Sequence, residues 1–415
     1  MKRLILFTLF LSLGLNVFSQ QVDDFVFLEA GYSNQSYYSL ANEEVANVDN
    51  TDWDIALDAD PFGVSIRING QMGTALYLYP NGDISDWASL DTTGLSEWPQ
   101  LYDSDNYWEE GAFNQNVDPD NTFDYGWGIY NSITHHVVGD SLYVIKLSDN
   151  SYRKIWIVSM ISNVFTFKFA ELDGSNETEV SFAKGDYSGK NFGYYSIQTE
   201  EEIDREPASD TWDIVFTKYY GIYSPPDVYY AVTGALHNRG LMSAQADGVN
   251  VDDAIWTDYT MNDTISTIGW DWKSFNMGTF SYDIVADQCF FVVDQNSTVW
   301  KIIFTAFIGS STGEIDFTKE EVGTFVGIEE ISNISGFTIY PNPSTNGNLT
   351  LNFNTPSSSV IVRITDLSGK EVLTERLTSQ GNQSQKIDIA DLSKGMYIVS
   401  LENGSSKVSQ KLIIN

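Results

Sequence analysis

The chain has 415 residues, 42% of them apolar and 14% aromatic, which excludes disorder as the main state and leaves room for two to three domains of ~150 residues each. Its net charge of −35 excludes nucleic acid as a partner, because that contact needs phosphates neutralised by Lys and Arg, and it disfavours docking on anionic lipid. The single cysteine, Cys289, permits no internal disulfide and no cysteine-built metal centre, and its Phe-Phe-Val-Val neighbours place it in a buried strand.

Lys2 and Arg3 precede a largely apolar run, Leu4 to Val17, so residues 1–20 read as a secretory signal peptide. The run is shorter than the ~20 residues of a membrane span, and no later segment qualifies as one. The expected mature protein is exported and has no transmembrane segment. No cysteine flanks the cleavage region, which closes the lipoprotein route.

From residue 21 onward the pattern is β-rich. Short aromatic or β-branched runs recur at Val144-Ile145, Ile155–Val158, Val164–Phe169, Phe290–Val293 and Lys301–Phe304, separated by Asn, Asp, Gly and Ser clusters. One short helix is expected around Thr199 to Arg205. The middle of the chain is duplicated. Tyr37-Tyr38-Ser39-Leu40 and Trp53-Asp54-Ile55 return as Tyr194-Tyr195-Ser196-Ile197 and Trp212-Asp213-Ile214. Trp127–Asn131 and Asp149–Ile155 return, in the same order, as Trp272–Asn276 and Gln295–Ile302. The spacing is too long for a solenoid, whose repeats run ~20–50 residues, and fits a duplicated domain. We divide the body into residues 21–185 and 186–326.

Composition changes near residue 330. From Ser335 to Asn415 there are seven Lys and Arg against six Asp and Glu, so the acidity of the chain lies entirely upstream. Residues 327–334 read as a linker and 335–415 as a separate domain. Leu349, Leu351 and Phe353 alternate on one strand, and Val360, Val362 and Ile364 on the next. Further strands are expected at Tyr397–Leu401 and Leu412–Ile414, with turns at Asp366–Gly369 and Ser393–Gly395. This predicts a small Ig-like β-sandwich. The expected fold class is all-β: two related domains in tandem and a C-terminal sandwich.

Two stretches resemble known families. The tail is similar to the type A C-terminal sorting domain of type IX secretion substrates of Bacteroidota. The similarity rests on Tyr340-Pro341-Asn342-Pro343, Gly347, Asp366–Lys370 with Gly369, Gly395-Met396-Tyr397 and Lys411-Leu412. It implies the type IX secretion machinery as a partner, passage through the periplasm and outer membrane, and a product attached to the cell surface or released. The body, over most of residues 24 to 325, resembles HmuY-like proteins, a family named for a haem-binding protein. The carriers are Tyr38–Leu40, Trp53–Ala56, Ile66–Gly70, Trp127–His135 and Tyr143–Ser159, with Trp212–Phe216, Val232–Gly234 and Trp272–Asn276 in the second copy. That resemblance implies an all-β fold and haem as a candidate cofactor.

Haem iron needs axial ligands, usually His and sometimes Met or Tyr. The chain has three histidines. His135 and His136 are adjacent, and neighbouring side chains on a strand point to opposite sides. They cannot clamp one iron, and His237 lies in the other copy. The candidate ligand sets are therefore mixed: His237 with Met242 or Met277, and His135 or His136 with Met72. The plainer reading makes His135 and His136 structural or exposed, and His237 a solvated residue of the turn Leu236–Gly240. Asp118–Asp124 has oxygen spacing like a Ca²⁺ loop but lacks the Gly and Glu of an EF-hand. Trp87, Trp98 and Trp108 lie in an insertion of the first copy, either folded inward or available to stack on sugars or porphyrins. No HExxH, GxSxG, Walker or GxGxxG motif occurs in a suitable context. The expectation is a non-enzymatic binding protein, secreted or at the cell surface, taking haem or a haemoprotein. The alternative is an adhesin or binder of surface glycans with no haem ligand.

Overall fold

A computed structural model describes residues 21–223, 228–325, 334–344, 347–355, 359–366, 370–378, 381–403 and 406–414. The signal-peptide assignment, residues 1–20, and nearly all of the 327–334 linker lie outside the described residues. The chain divides after Phe325 into two compact units. Both are built from strands, and the helical segments among the described residues are 3-10 turns of three or four residues. No helix among them is long and apolar enough to cross a membrane. The helix expected around Thr199 to Arg205 is instead a short strand, Glu201–Ile203, paired with Phe192–Ser196. Cross-strand pairing there overrides the helix propensity of the glutamates.

The apolar runs read from sequence form strands Tyr143–Lys146, Tyr152–Ile161, Val164–Glu171, Gln288–Val293 and Thr298–Phe307. In the first unit these build two matching pairs of sheets. One large sheet runs Thr178–Ala183, Val164–Glu171, Tyr152–Ile161, Tyr143–Lys146, Ala75–Leu78 and Gln100–Leu101. Its counterpart runs Val22–Val26, Ile315–Thr324, Thr298–Phe307, Gln288–Val293 and Ser243–Asp247. One small sheet has the order Glu201–Ile203, Phe192–Ser196, Ile55–Asp58, Ile66–Ile68. The other has the order Glu43–Asp49, Asn34–Ser39, Ile214–Tyr223, Val228–His237.

The match shows that strands are exchanged. Asn34–Ser39, from the first sequence copy, pairs with Ile214–Tyr223 of the second. Phe192–Ser196, from the second copy, pairs with Ile55–Asp58 of the first. Val22–Val26 likewise completes the large sheet of the second copy at Ile315–Thr324. The cores follow the sheets: Val26, Leu28, Tyr38 and Leu40 are buried with Ile214, Phe216, Phe290 and Phe304. Tyr195 and Ile197 are buried with Ile55, Leu57, Phe165 and Phe167. The sequence division between residues 185 and 186 is thus not the division between the cores.

The duplicated motifs are the residues that secure this exchange. Asp54 Oδ2 accepts the backbone N–H groups of Ile197 (2.8 Å) and Gln198 (3.2 Å), which follow the strand lent by the second copy. Asp213 Oδ2 accepts the N–H of Leu40 (2.7 Å), and its Oδ1 that of Gln295 (3.0 Å). Both carboxyls are buried, and burial pushes their pKa values above the ordinary range. The tryptophans obey the same symmetry. Trp53 meets Tyr194 edge-on at 5.0 Å between ring centroids, and Trp212 meets Tyr37 edge-on at 5.0 Å. The two tyrosine hydroxyls lie 3.4 Å apart where the copies meet.

The second unit is a sandwich of a three-stranded and a four-stranded sheet. Its core holds Leu349, Leu351, Phe353, Val360, Val362 and Ile364, the alternating positions read from the sequence. Tyr397 Oη donates to the Ser393 carbonyl (2.8 Å), closing the expected turn. Asn342 fastens the lead-in to the last strand. Its Oδ1 accepts the N–H of Ile413 (2.9 Å), and its Nδ2 donates to the Lys411 carbonyl (2.6 Å). The prolines on either side of Asn342 have no N–H of their own to pair. Gly369 lies outside the described residues.

Replacing Asp54 or Asp213 with Ala leaves buried N–H groups without an acceptor. Each substitution is expected to lower the unfolding free energy of the full chain by about 3 kcal/mol, measured by urea denaturation. A loss below about 1 kcal/mol would show that these carboxylates do not hold the exchanged strands.

Candidate functional site: a crevice between the copies

The exchange brings one small sheet from each half face to face and leaves a cavity of about 70 Å³ between them. Its walls are aromatic, with Tyr37, Trp53, Trp108, Tyr194, Trp212 and Tyr219 among them. The strands lent across the interface supply Tyr37 and Tyr194. Trp53 and Trp212 come from the segments that receive them. Trp108 comes from the first-copy insertion and donates Nε1–H to the His237 carbonyl (3.0 Å).

Charged groups also line the cavity. Glu206 is buried, accepting the Asn191 N–H (2.9 Å) and the Tyr194 hydroxyl (2.7 Å). Burial raises its pKa to about 7, although Arg239 and Arg205 oppose the shift. Arg205 donates to Gln35 Oε1 (2.5 Å), and Gln35 Nε2 donates to Thr217 Oγ1 (2.8 Å). Arg67 holds the loop at the rim by donating to the Tyr107 (3.0 Å) and Ser104 (2.7 Å) carbonyls. Asp103 accepts the Ala112 N–H (2.8 Å), and burial raises its pKa. Two buried wall groups have no hydrogen-bond partner: Trp212 Nε1 and Tyr219 Oη.

That loop also docks on the hairpin formed by Ile214–Tyr223 and Val228–His237. Asp105 Oδ2 accepts the Ile222 N–H (3.2 Å), and the Asn106 carbonyl accepts the Ile265 N–H (3.0 Å). Tyr102 stacks on Tyr229 at 3.8 Å with the rings 7° from parallel, and meets Tyr220 edge-on at 5.2 Å. Tyr220 itself lines the cavity. Farther out on the hairpin, Tyr223 is 63% exposed and Tyr230 62% exposed. The register pairs Tyr220 with Ala231 and Ile222 with Tyr229, so Tyr220 and Tyr229 share the face that Tyr102 packs on, and Tyr223 and Tyr230 lie on the opposite face of the hairpin.

The six haem-ligand candidates lie apart from this site. His135 sits in a hairpin turn at φ 59°, exposed, with Nδ1 2.7 Å from the Tyr130 hydroxyl. Phe280 takes the same turn position in the second copy, at φ 54°. His136 begins the strand His136–Gly139 and is half-buried. His237 is not a solvated turn residue: it ends the strand Val228–His237 and is 1% exposed. Its neighbour explains this. Asn238 Nδ2 donates to the Ser209 and Trp212 carbonyls, as Asn69 Nδ2 does to those of Asn50 and Trp53. His237 therefore occupies the place of Ile68, a core residue. Met242 packs beside Cys289 and Phe291, Met277 is exposed in a hairpin turn, and Met72 is half-buried in the turn Gly70–Met72. None of the six lines the crevice. These residues do not fit a haem: no pair of them faces one cleft.

Trp87 and Trp98 are buried in a cluster with Val144 and Ala170 of the large sheet, and Trp108 is half-buried at the crevice. The Asp118–Asp124 loop spends its carboxylates on its own turns, with Asp124 Oδ2 accepting the Asp118 N–H (2.8 Å). No group of three or more His, Cys, Asp or Glu among the described residues is placed to hold a metal ion. A second, more open cleft of about 420 Å³ contains Lys184, Lys190 and Arg239. Each already has partners: Arg239 binds Asp58 and Glu109, Lys190 binds Asp204, and Lys184 donates to the Asp60 and Gly63 carbonyls. The sequence reading passed over Glu206, Tyr219 and the Tyr102–Tyr229 stack. The doublets Tyr219-Tyr220 and Tyr229-Tyr230 were the available signal.

Residues 338–415 match the family of secretion system C-terminal sorting domains. This sorting domain places the protein at the cell surface or outside the cell as a substrate of the secretion machinery. The match does not extend to the body, and no curated protein matches the chain.

Because the folded state holds a proton on Glu206 up to about pH 7, it binds more protons than the unfolded chain between about pH 4.5 and 7. The stability from this group is complete below the lower value and is lost as pH rises through the upper one. Over that window the loss should be about 3 kcal/mol, read from urea unfolding, and Glu206→Gln should flatten it.

Proposed function

We propose that the protein is a non-enzymatic binder of neutral glycans, exported by the type IX route and displayed on or released from the cell surface. The observation that carries the reading is the tyrosine cluster of Tyr102, Tyr220 and Tyr229 at the mouth of the crevice. Phenol rings offer flat apolar faces to the C–H side of a sugar and hydroxyls to its rim. The body around them is strongly acidic, which favours an uncharged ligand over an anionic one. The HmuY-like resemblance of the body supports an all-β binding scaffold. Haem capture has less support, since its candidate ligands are dispersed.

Affinity electrophoresis or a glycan array with the purified full chain tests this reading. Retention by neutral glycans should fall at least tenfold in the Tyr102→Ala/Tyr229→Ala double variant, which removes the stacked pair at the mouth of the crevice. Retention unchanged by those substitutions, or absent in the parent chain, would sink it. Haem titration provides the contrast: a shifted Soret band lost on His237→Ala would favour capture instead.

Deleting residues 335–415 should leave the body in the periplasm, as measured by fractionation and surface proteolysis. Arrival at the surface without the tail would refute the export route.

A further inference from the structure

We propose that two equivalent hairpin turns of the body, residues 131–135 and 276–280, dock the protein on a zwitterionic lipid surface. The three most exposed large apolar side chains among the described residues are Ile133 (87%), Phe280 (77%) and Met277 (74%). All three stand on these turns. The first turn joins Gly128–Asn131 to His136–Gly139, and the second joins Lys273–Asn276 to Ser281–Ile284. The strands below add Val138 and Phe275, which are exposed as well.

Both turns are suited to leaving water. Asn131 Oδ1 accepts the N–H groups of Ile133 (2.9 Å) and Thr134 (3.1 Å), and its carbonyl accepts that of His135 (2.8 Å). Asn276 does the same for Gly278 (2.9 Å), Thr279 (3.3 Å) and Phe280 (2.9 Å). The Thr279 and Ser281 hydroxyls pair at 2.8 Å. A turn whose N–H groups are already paired can enter an apolar layer without orphaning them. No Asp, Glu, Lys or Arg occurs from Tyr125 to Gly139 or from Ser274 to Tyr282, in a chain that is 19% charged. Asp283, whose carboxylate accepts Asn276 Nδ2–H (2.7 Å), limits entry to the turn itself. Phe280 sits at φ 54°, a backbone state better suited to Gly or Asn, so neither packing nor propensity accounts for its ring.

Comparison of the copies favours lipid over a protein partner. Counted from the Asn, the first turn has Ile at the second position, and the second turn has Met at the first and Phe at the fourth. A protein groove fixes both the side chain and its position. A fluid apolar layer asks only that the tip be apolar, because the hydrophobic effect is non-directional. The two copies share exposure, turn geometry and neutrality, but not side-chain identity. The net charge of −35 opposes approach to anionic headgroups, which leaves zwitterionic ones.

Co-flotation with phosphatidylcholine vesicles tests this. Residues 21–415, which contain every described strand, are used so that the apolar run at residues 4–17 does not itself bind lipid. The protein should float with the vesicles at low and high salt alike, and less well as phosphatidylserine is added. Ile133→Ser/Met277→Ser/Phe280→Asn should lower partitioning at least tenfold with an unchanged melting temperature. Ile133→Leu/Met277→Leu/Phe280→Leu should partition within about threefold of the parent, which separates apolarity from shape. The vesicles carry no sugar, so the outcome is independent of the glycan reading. Absence of parent binding would overturn the proposal, as would undiminished binding of the Ser/Ser/Asn variant or loss in the all-Leu variant. Binding that rises with phosphatidylserine or vanishes in salt would overturn it too. Parent dimers by light scattering that dissociate in the Ser/Ser/Asn variant, without vesicle binding, would assign the turns to a contact between copies instead.

Discussion

Two buried carboxylates hold this body together. Asp54 and Asp213 each accept backbone N–H groups from a strand end that comes from the opposite copy. A buried carboxylate is tolerable only when its lone pairs are filled, and a strand end is tolerable only when its N–H groups are. Each requirement is met by the other, across the copies at Ile197, Gln198 and Leu40 and within the second copy at Gln295. The edge-on Trp–Tyr pairs then cover these bonds with ring surface. The exchange is thus both a fold device and the origin of the site, because it presses two small sheets together and traps the crevice between them.

This explains what the sequence could and could not tell. The apolar runs gave the strands correctly, because a half-buried sheet imposes alternation that local residues must obey. The tail sandwich was legible for the same reason, down to Leu349, Leu351 and Phe353. The repeat revealed which residues were doubled, but not that each copy lends its strand to the other. Partner choice between similar copies leaves no mark on a periodicity, since Tyr37 and Tyr194 would look the same in either pairing. His237 was misplaced for a related reason. Local cues, Asn-Arg-Gly, indicate a turn, and they are right about residues 238–240. The histidine just before them is the last residue of a buried strand, where only the alignment of Asn238 with Asn69 reveals its place.

The titration of Glu206 belongs to the same architecture. Its carboxyl is buried because the copies close over it, and it shares its hydrogen bonds with Tyr194 and with Asn191, beside the lent strand. A group buried by an interface makes that interface sensitive to its charge. The proton on Glu206 therefore reports on the closure of the two halves as much as on the site itself.

The asymmetry between the copies carries the functional argument. Duplication gives two equal halves, and equal halves would satisfy their shared groups equally. Asn50 against Ser209 breaks that equality at a single indole, and the long first-copy insertion breaks it again by bringing Trp108 and Tyr102 onto the second-copy hairpin. The second departure falls at the crevice. The shared residues are used up in holding the strands. The histidines are unshared as well, but His135 has an aromatic counterpart in a solvent-facing turn and His237 replaces a core isoleucine. Tyr102, Tyr220 and Tyr229 are the unshared groups that meet in one place.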